Sequence, residues 1–111
     1  MEEKIKFDEF GKIEMRVGKV LGVEEHPNAS KLFVLRVDFG NEERTIVAGL
    51  RNHYKKEELE GKKAVFVVNL EPVTLRGVKS DGMILAAVNS DESRIVFLEP
   101  EKDIEEGSKI R

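Results

Sequence analysis

An all-β fold, a small barrel of five or six short strands, is what the 111-residue sequence predicts, on three observations. Short runs of alternating apolar and polar residues, punctuated by Gly, Pro, Asn and Asp, recur along the chain and outnumber any helical pattern. The first run breaks its alternation beside a glycine. A single stretch of helix formers separates the third run from the fourth. The length corresponds to one domain, and 40% hydrophobic residues suffice for one core and exclude disorder for most of the chain, even with 37% charged residues.

Phe7 to Gly11 is expected to form a short helix plugging one end. From Ile13 onward Met15, Val17, Leu21 and Val23 alternate with Glu14, Arg16, Gly18, Gly22 and Glu24, the period-2 pattern of a half-buried strand. Lys19 and Val20 break the phase, which predicts a bulge or sharp coil letting one long strand serve both halves of a barrel. His26 to Ser30 reads as a turn. Phe33, Leu35, Val37 and Phe39 form a second alternating strand, and Gly40 to Glu43 closes a hairpin onto a third at Thr45 to Ala48. His53 to Glu60 is helical for one or two turns, stopped by Gly61. Ala64 to Leu70 reads as a buried strand, Pro72 to Gly82 as a long loop, Met83 to Val88 and Arg94 to Leu98 as the last two strands. Such a set, with a coiled first strand and a helix between strands 3 and 4, matches the Greek-key barrel called the OB-fold, which binds oligonucleotides and oligosaccharides. The expected division is a barrel with its N-terminal helix over 1–88 and a C-terminal extension over 89–111.

No run approaches a membrane span and the N-terminus lacks a signal-peptide pattern, so an intracellular, cytoplasmic protein is expected. Without Cys there is no disulfide or thiolate metal site. The two His lie 27 positions apart and no calcium-loop spacing occurs, so no metal and no cofactor are expected. His26 and His53 read as surface or capping residues, and no nucleophile motif accompanies them, so no catalysis is expected. Abundant Lys and Glu with no Cys, Trp or Gln fits a chain selected at high temperature. The net charge of -3 resides in the last segment: residues 1–90 carry 15 Lys and Arg against 15 Asp and Glu, residues 91–111 carry 4 against 7. A local basic face therefore remains open to the body of the chain.

The segment from Asn69 to Met83 stands out. Asn69 ends a buried strand, where an amide needs a partner, either backbone or ligand. Arg76, Lys79 and Ser80 place two cations and a hydroxyl within five residues, and Gly82 would let the backbone approach a partner closely. The alternative is an Arg and a Lys on a solvated turn, with Asn69 satisfied locally.

Met15-Arg16-Val17-Gly18-Lys19-Val20, His26-Pro27-Asn28-Ala29-Ser30-Lys31-Leu32, Arg44 to Leu50, Asn69 through Val78, and Ser80 to Ala87 together resemble the tRNA-binding domain family, over about residues 7–98. That family includes the C-terminal domain or β-subunit of methionyl-tRNA synthetases, free-standing tRNA-binding proteins, synthetase-associated cofactors and the β-chain of phenylalanyl-tRNA synthetase. The resemblance implies a free-standing, non-catalytic module that binds tRNA by shape at the outside corner of the L and assists a synthetase in trans. It implies RNA contacts at Lys31, Arg36, Asn69, Arg76, Ser80 and Met83, with Lys79 beside them. Lys and Arg neutralise phosphates, Asn and Ser reach 2′-hydroxyls or base edges, and Met offers an adaptable apolar surface; Met83 could instead be core. Ala48-Gly49-Leu50 departs from the family's common Ser-Gly-Leu and lacks that hydroxyl. The neutral body predicts modest affinity with marked salt sensitivity.

The C-terminal segment is more apolar than a solvated tail requires. With the N-terminal Phe7 and Phe10, its Ile95, Phe97, Ile104 and Ile110 are expected to form a two-fold dimer interface, as the resemblance also implies. The alternative is a tail folded back on its own barrel. Expected partners are tRNA, a second copy and a methionyl-tRNA synthetase catalytic subunit, with neither DNA nor membrane. A dimeric chaperone-like module of the same fold is the alternative function.

Overall fold

The computed structural model describes residues 2–111 and places an 11-residue strand, β1 (Met15–Glu25), at the centre of the fold. Along residues 19–25 it pairs antiparallel with β2 (Phe33–Asp38), and along residues 15–19 its other edge pairs with β4 (Lys63–Val67). The register shifts between Val20 and Gly22, so the expected bulge exists. It turns Val20 rather than Leu21 into the core, and Val20 is 1% exposed. At Gly18 an added Cβ would meet Val37 and Phe39 side-chain atoms at 2.6 and 2.7 Å, which is why the coil of β1 passes over the core at a glycine.

β2 and β3 (Glu43–Ala48) pair in continuous register from Phe33 and Ala48 to Asp38 and Glu43. A one-turn helix α2 (Lys56–Leu59) follows, buries Leu59, and leads into β4. Glu58 caps it by accepting the Lys55 backbone N–H at 2.8 Å. The other helix, α1 (Phe7–Phe10), buries no residue, so it does not plug the barrel as expected: its four residues supply no inward face. The core gathers Val20, Leu35, Val37, Ile46, Leu50, Leu59 and Phe66, with Phe39 edge-to-face on Phe66 at 5.5 Å.

The stretch expected as a loop over 72–82 is a hairpin, β5 (Val73–Leu75) and β6 (Val78–Ser80), joined by Arg76 and Gly77. Beyond it the expected fifth strand is two short pieces, β7 (Met83–Ile84), which pairs with β4, and β8 (Ala86–Val88). The resulting sheet order is β3-β2-β1-β4-β7, a nearly closed all-β barrel. Its seam is bridged by Ser80 and Asp81, through Val47 N–H to the Ser80 hydroxyl at 2.9 Å and Asp81 N–H to the Thr45 carbonyl at 2.9 Å.

The C-terminal segment folds back on its own barrel. β8 pairs with β9 (Ile95–Phe97), so the expected division at residue 88 falls inside a hairpin. Phe97 packs on Tyr54, whose hydroxyl accepts the Phe97 N–H at 3.3 Å. β10 (Lys109–Ile110) pairs with Met15 and Arg16 of β1. The cause is an open edge: β2 pairs with β1 only from Lys19 onward, and the tail covers what is left, with Val17 N–H to Ser108 O at 2.9 Å and Gly107 N–H to Val17 O at 2.7 Å. Lys63 anchors the strap through Asp103 (2.8 Å), Glu106 (3.1 Å) and the Ile104 carbonyl (2.6 Å). Ile95, Phe97 and Ile110 are therefore half-buried within the chain, whereas Phe7, Phe10 and Ile104 are exposed.

Candidate nucleic-acid interface

Two loops meet at one rim of the barrel, the turn over 26–32 and the β5–β6 hairpin, the positions through which barrels of this architecture take nucleic acid. The turn is closed internally by His26 N–H to Leu32 O (3.1 Å) and Leu32 N–H to Ala29 O (3.2 Å). His26 is buried rather than superficial. Its Nδ1 accepts the Asn28 N–H at 3.0 Å, which leaves the proton on Nε2 to be donated to the Leu75 carbonyl at 2.8 Å. Asn28 Nδ2 donates to the Arg76 carbonyl at 3.3 Å. On the other side, Arg51 donates to the Ala29 carbonyl at 3.3 Å and pairs with Glu25 at 3.2 Å.

Between turn and hairpin lies an open groove of about 520 Å³, where Leu32 and Leu75 supply apolar surface and Lys31 and Arg76 the cations. Lys79 lines an adjoining depression with Thr45 and Asp81. Lys31, Arg76 and Lys79 are exposed and make no ion pair among the described residues. Unpaired cations on held loops can exchange their counterions for a polyanion without first breaking a protein contact.

The other expected contacts are distributed differently. Arg36 is exposed on β2 but pairs with Glu43 at 3.2 Å and lines a separate depression beside Gly22 and Glu24. Asn69 has both ends of its amide engaged by backbone, Oδ1 accepting the Glu14 N–H at 2.8 Å and Nδ2 donating to the Lys12 carbonyl at 2.6 Å, so it clips the N-terminal segment to the barrel. Ser80 is 2% exposed, and its hydroxyl accepts from Val47 and donates to the Gly82 carbonyl at 3.1 Å. Its expected RNA contact is corrected to a seam bond. Gly82, at φ +135, brings its backbone against Ile46 and the Val67 carbonyl of this chain rather than against a partner. Met83 stands exposed on β7, outside the core.

Two arginines elsewhere on the barrel are engaged by this chain's own groups. Arg44 donates to Glu42 and the Val68 carbonyl, each at 2.6 Å, lies 3.8 Å from Asp81, and sits over the Phe39 ring; its hydrogen bond holds the Glu42 carboxyl below its ordinary value. Arg16 is bound to Glu14 and the Gly107 carbonyl. The groove between these two arginines is also lined by Glu42, Glu105 and Glu106. Such a border does not suit a phosphate chain. No helix among the described residues is long and apolar enough to cross a membrane.

Residues 15–109 match a family model described as a putative tRNA binding domain. The chain is 51% identical, over 99% of its own length, to a part of the methionine–tRNA ligase of Pyrococcus abyssi, and spans only 15% of that relative. The crystal structure of a MetRS-related protein from Pyrococcus horikoshii superposes with a TM-score of 0.94 at 42% identity, covering 99% of this chain and 100% of the other. That of the chaperone CsaA from Bacillus anthracis superposes with a TM-score of 0.88 at 30% identity, covering 98% and 100%.

Proposed function

Since the chain belongs to the putative tRNA-binding domain family, we propose that it is a structure-specific, sequence-independent tRNA-binding module that assists aminoacylation in trans, as the β-subunit or tRNA-binding domain of a methionyl-tRNA synthetase. The observation that carries this reading is the pair of unpaired cations, Lys31 and Arg76, facing one groove on braced loops. Rigid loops suit the recognition of a folded RNA by shape, because phosphate positions are then matched rather than searched for. Lys79 extends the cationic edge, and Met83 and Leu75 offer apolar surface to a ribose or base. A body without net positive charge gives modest affinity, and binding carried by phosphate contacts is sensitive to salt. The module catalyses nothing; it holds tRNA near the catalytic subunit, in the cytoplasm.

The working unit is a homodimer. Exposed Phe7, Phe10 and Ile104 support this, since a small domain gains by covering apolar surface of that kind with a second copy. Ile95, Phe97 and Ile110 contribute by holding the tail on the barrel.

The test is fluorescence anisotropy with folded tRNA, the same tRNA heat-unfolded without magnesium, and a single-stranded oligonucleotide, at two salt concentrations. Preference for folded tRNA of several kinds, lost at high salt, is expected. Absence of RNA binding at low salt overturns the reading in favour of a chaperone-like module, which the likeness to CsaA supports. Binding of apolar peptide would then persist at high salt.

A further inference from the structure

The β5–β6 hairpin turns through two residues, Arg76 at φ +51 and Gly77 at φ +90, the signs of a type I′ turn. Glycine adopts such angles freely and asparagine at little cost, but an arginine in the left-handed region is disfavoured by its Cβ. The first position of this turn therefore holds a residue poorly suited to the backbone. It is also the residue that lines the groove together with Lys31.

Two neutral side chains meet the backbone on either side of the strained residue. Buried His26 donates to the carbonyl of Leu75, and Asn28 donates to the carbonyl of Arg76 itself. His26 also accepts the Asn28 N–H, so both donors belong to one turn. We propose that His26 and Asn28 are positioning residues that hold Arg76 in its strained turn so that its guanidinium stays aimed into the groove, and that arginine is kept there for binding at the expense of stability. This rests on the RNA-binding reading of the groove.

The experiment measures tRNA affinity and its salt dependence beside thermal unfolding, in the full chain. Asn28→Ala removes no charge and lies on the surface, so folding is retained. It is expected to weaken binding several-fold and to lower the slope of log K against log salt by up to one ion, because the released Arg76 no longer reaches its phosphate. In an Arg76→Ala background the same substitution is expected to change nothing further. His26→Gln, whose amide can still donate toward Leu75, is expected to keep most of the affinity, which separates positioning from burial. Arg76→Asn, giving the favoured Asn-Gly turn, is expected to raise Tm by a few degrees while binding falls. An Asn28→Ala protein with unchanged affinity and slope, beside a weakened Arg76→Ala protein, overturns the brace and leaves the RNA reading standing. Unchanged binding in Arg76→Ala itself removes this residue from the interface and overturns both. A lowered Tm in Arg76→Asn overturns the claim of strain, a result that needs no RNA.

Discussion

The rim formed by the turn over 26–32 and the β5–β6 hairpin differs from the edges held by Arg16, Arg44 and Lys63 in what its cations do. At the first, Lys31, Arg76 and Lys79 stand without carboxylate partners while the backbone beneath them is tied down. At the second, Arg16, Arg44 and Lys63 are bound to carboxylates and carbonyls and hold the C-terminal strap and the barrel edge in place. Charge count alone would treat the two regions as equivalent. The difference lies in pairing, because a cation already satisfied must lose a contact before it can take a phosphate.

Replacing Lys31, Arg76 and Lys79 together by Ala should do most to erase the contrast. The expected loss of tRNA affinity is on the order of 100-fold, with a salt slope lower by about three ions and an unchanged denaturation midpoint. Arg44→Ala should behave in the opposite sense. Loss of its bonds to Glu42 and Val68 and of its place over Phe39 should cost about 2 kcal/mol in urea unfolding, with the slope of binding against salt intact. Ser80→Ala leaves the buried Val47 N–H unpaired and should cost about 1 to 2 kcal/mol, again without changing the salt slope. An altered slope there would return Ser80 to the interface.

Acid should loosen the strap. Hydrogen bonds from Lys63 hold the Asp103 and Glu106 carboxyls below their ordinary values, so their contribution is complete above those values and is lost as the pH falls through the depressed ones. The same contacts raise Lys63, whose share persists to the ordinary lysine range and is lost only above it. Amide exchange followed down the pH scale should show residues 103–110 opening before β2 and β3. The smallest effect belongs to Arg36→Ala, which breaks an exposed pair with Glu43 and should change stability by about 0.5 kcal/mol or less.

Much of the barrel is legible along the chain because its signals are local. Alternation placed β1 through β3, and the break at Lys19 and Val20 announced the bulge. The β5–β6 hairpin is not legible as strands because its turn carries Arg-Gly where Asn-Gly is the usual signal, although Val73, Leu75 and Val78 keep the alternation. In the site, cations at Lys31, Arg76 and Lys79 were legible as residue types. The engagement of Ser80 and Asn69 was not, because their partners, Val47, Lys12 and Glu14, lie 33 to 57 positions away. His26 likewise read as a turn residue, since its partner Leu75 is 49 positions distant.

The sequence by itself determined the all-β class, the coiled central strand, the family and the residue types able to meet a polyanion, all carried by short-range pattern and local chemistry. Only the tertiary structure decided which cations are free, which polar groups are consumed by the barrel seam, and that the tail returns to cover β1. Those outcomes depend on long-range pairing: an open strand edge and a buried polar group take whatever partner the fold brings near.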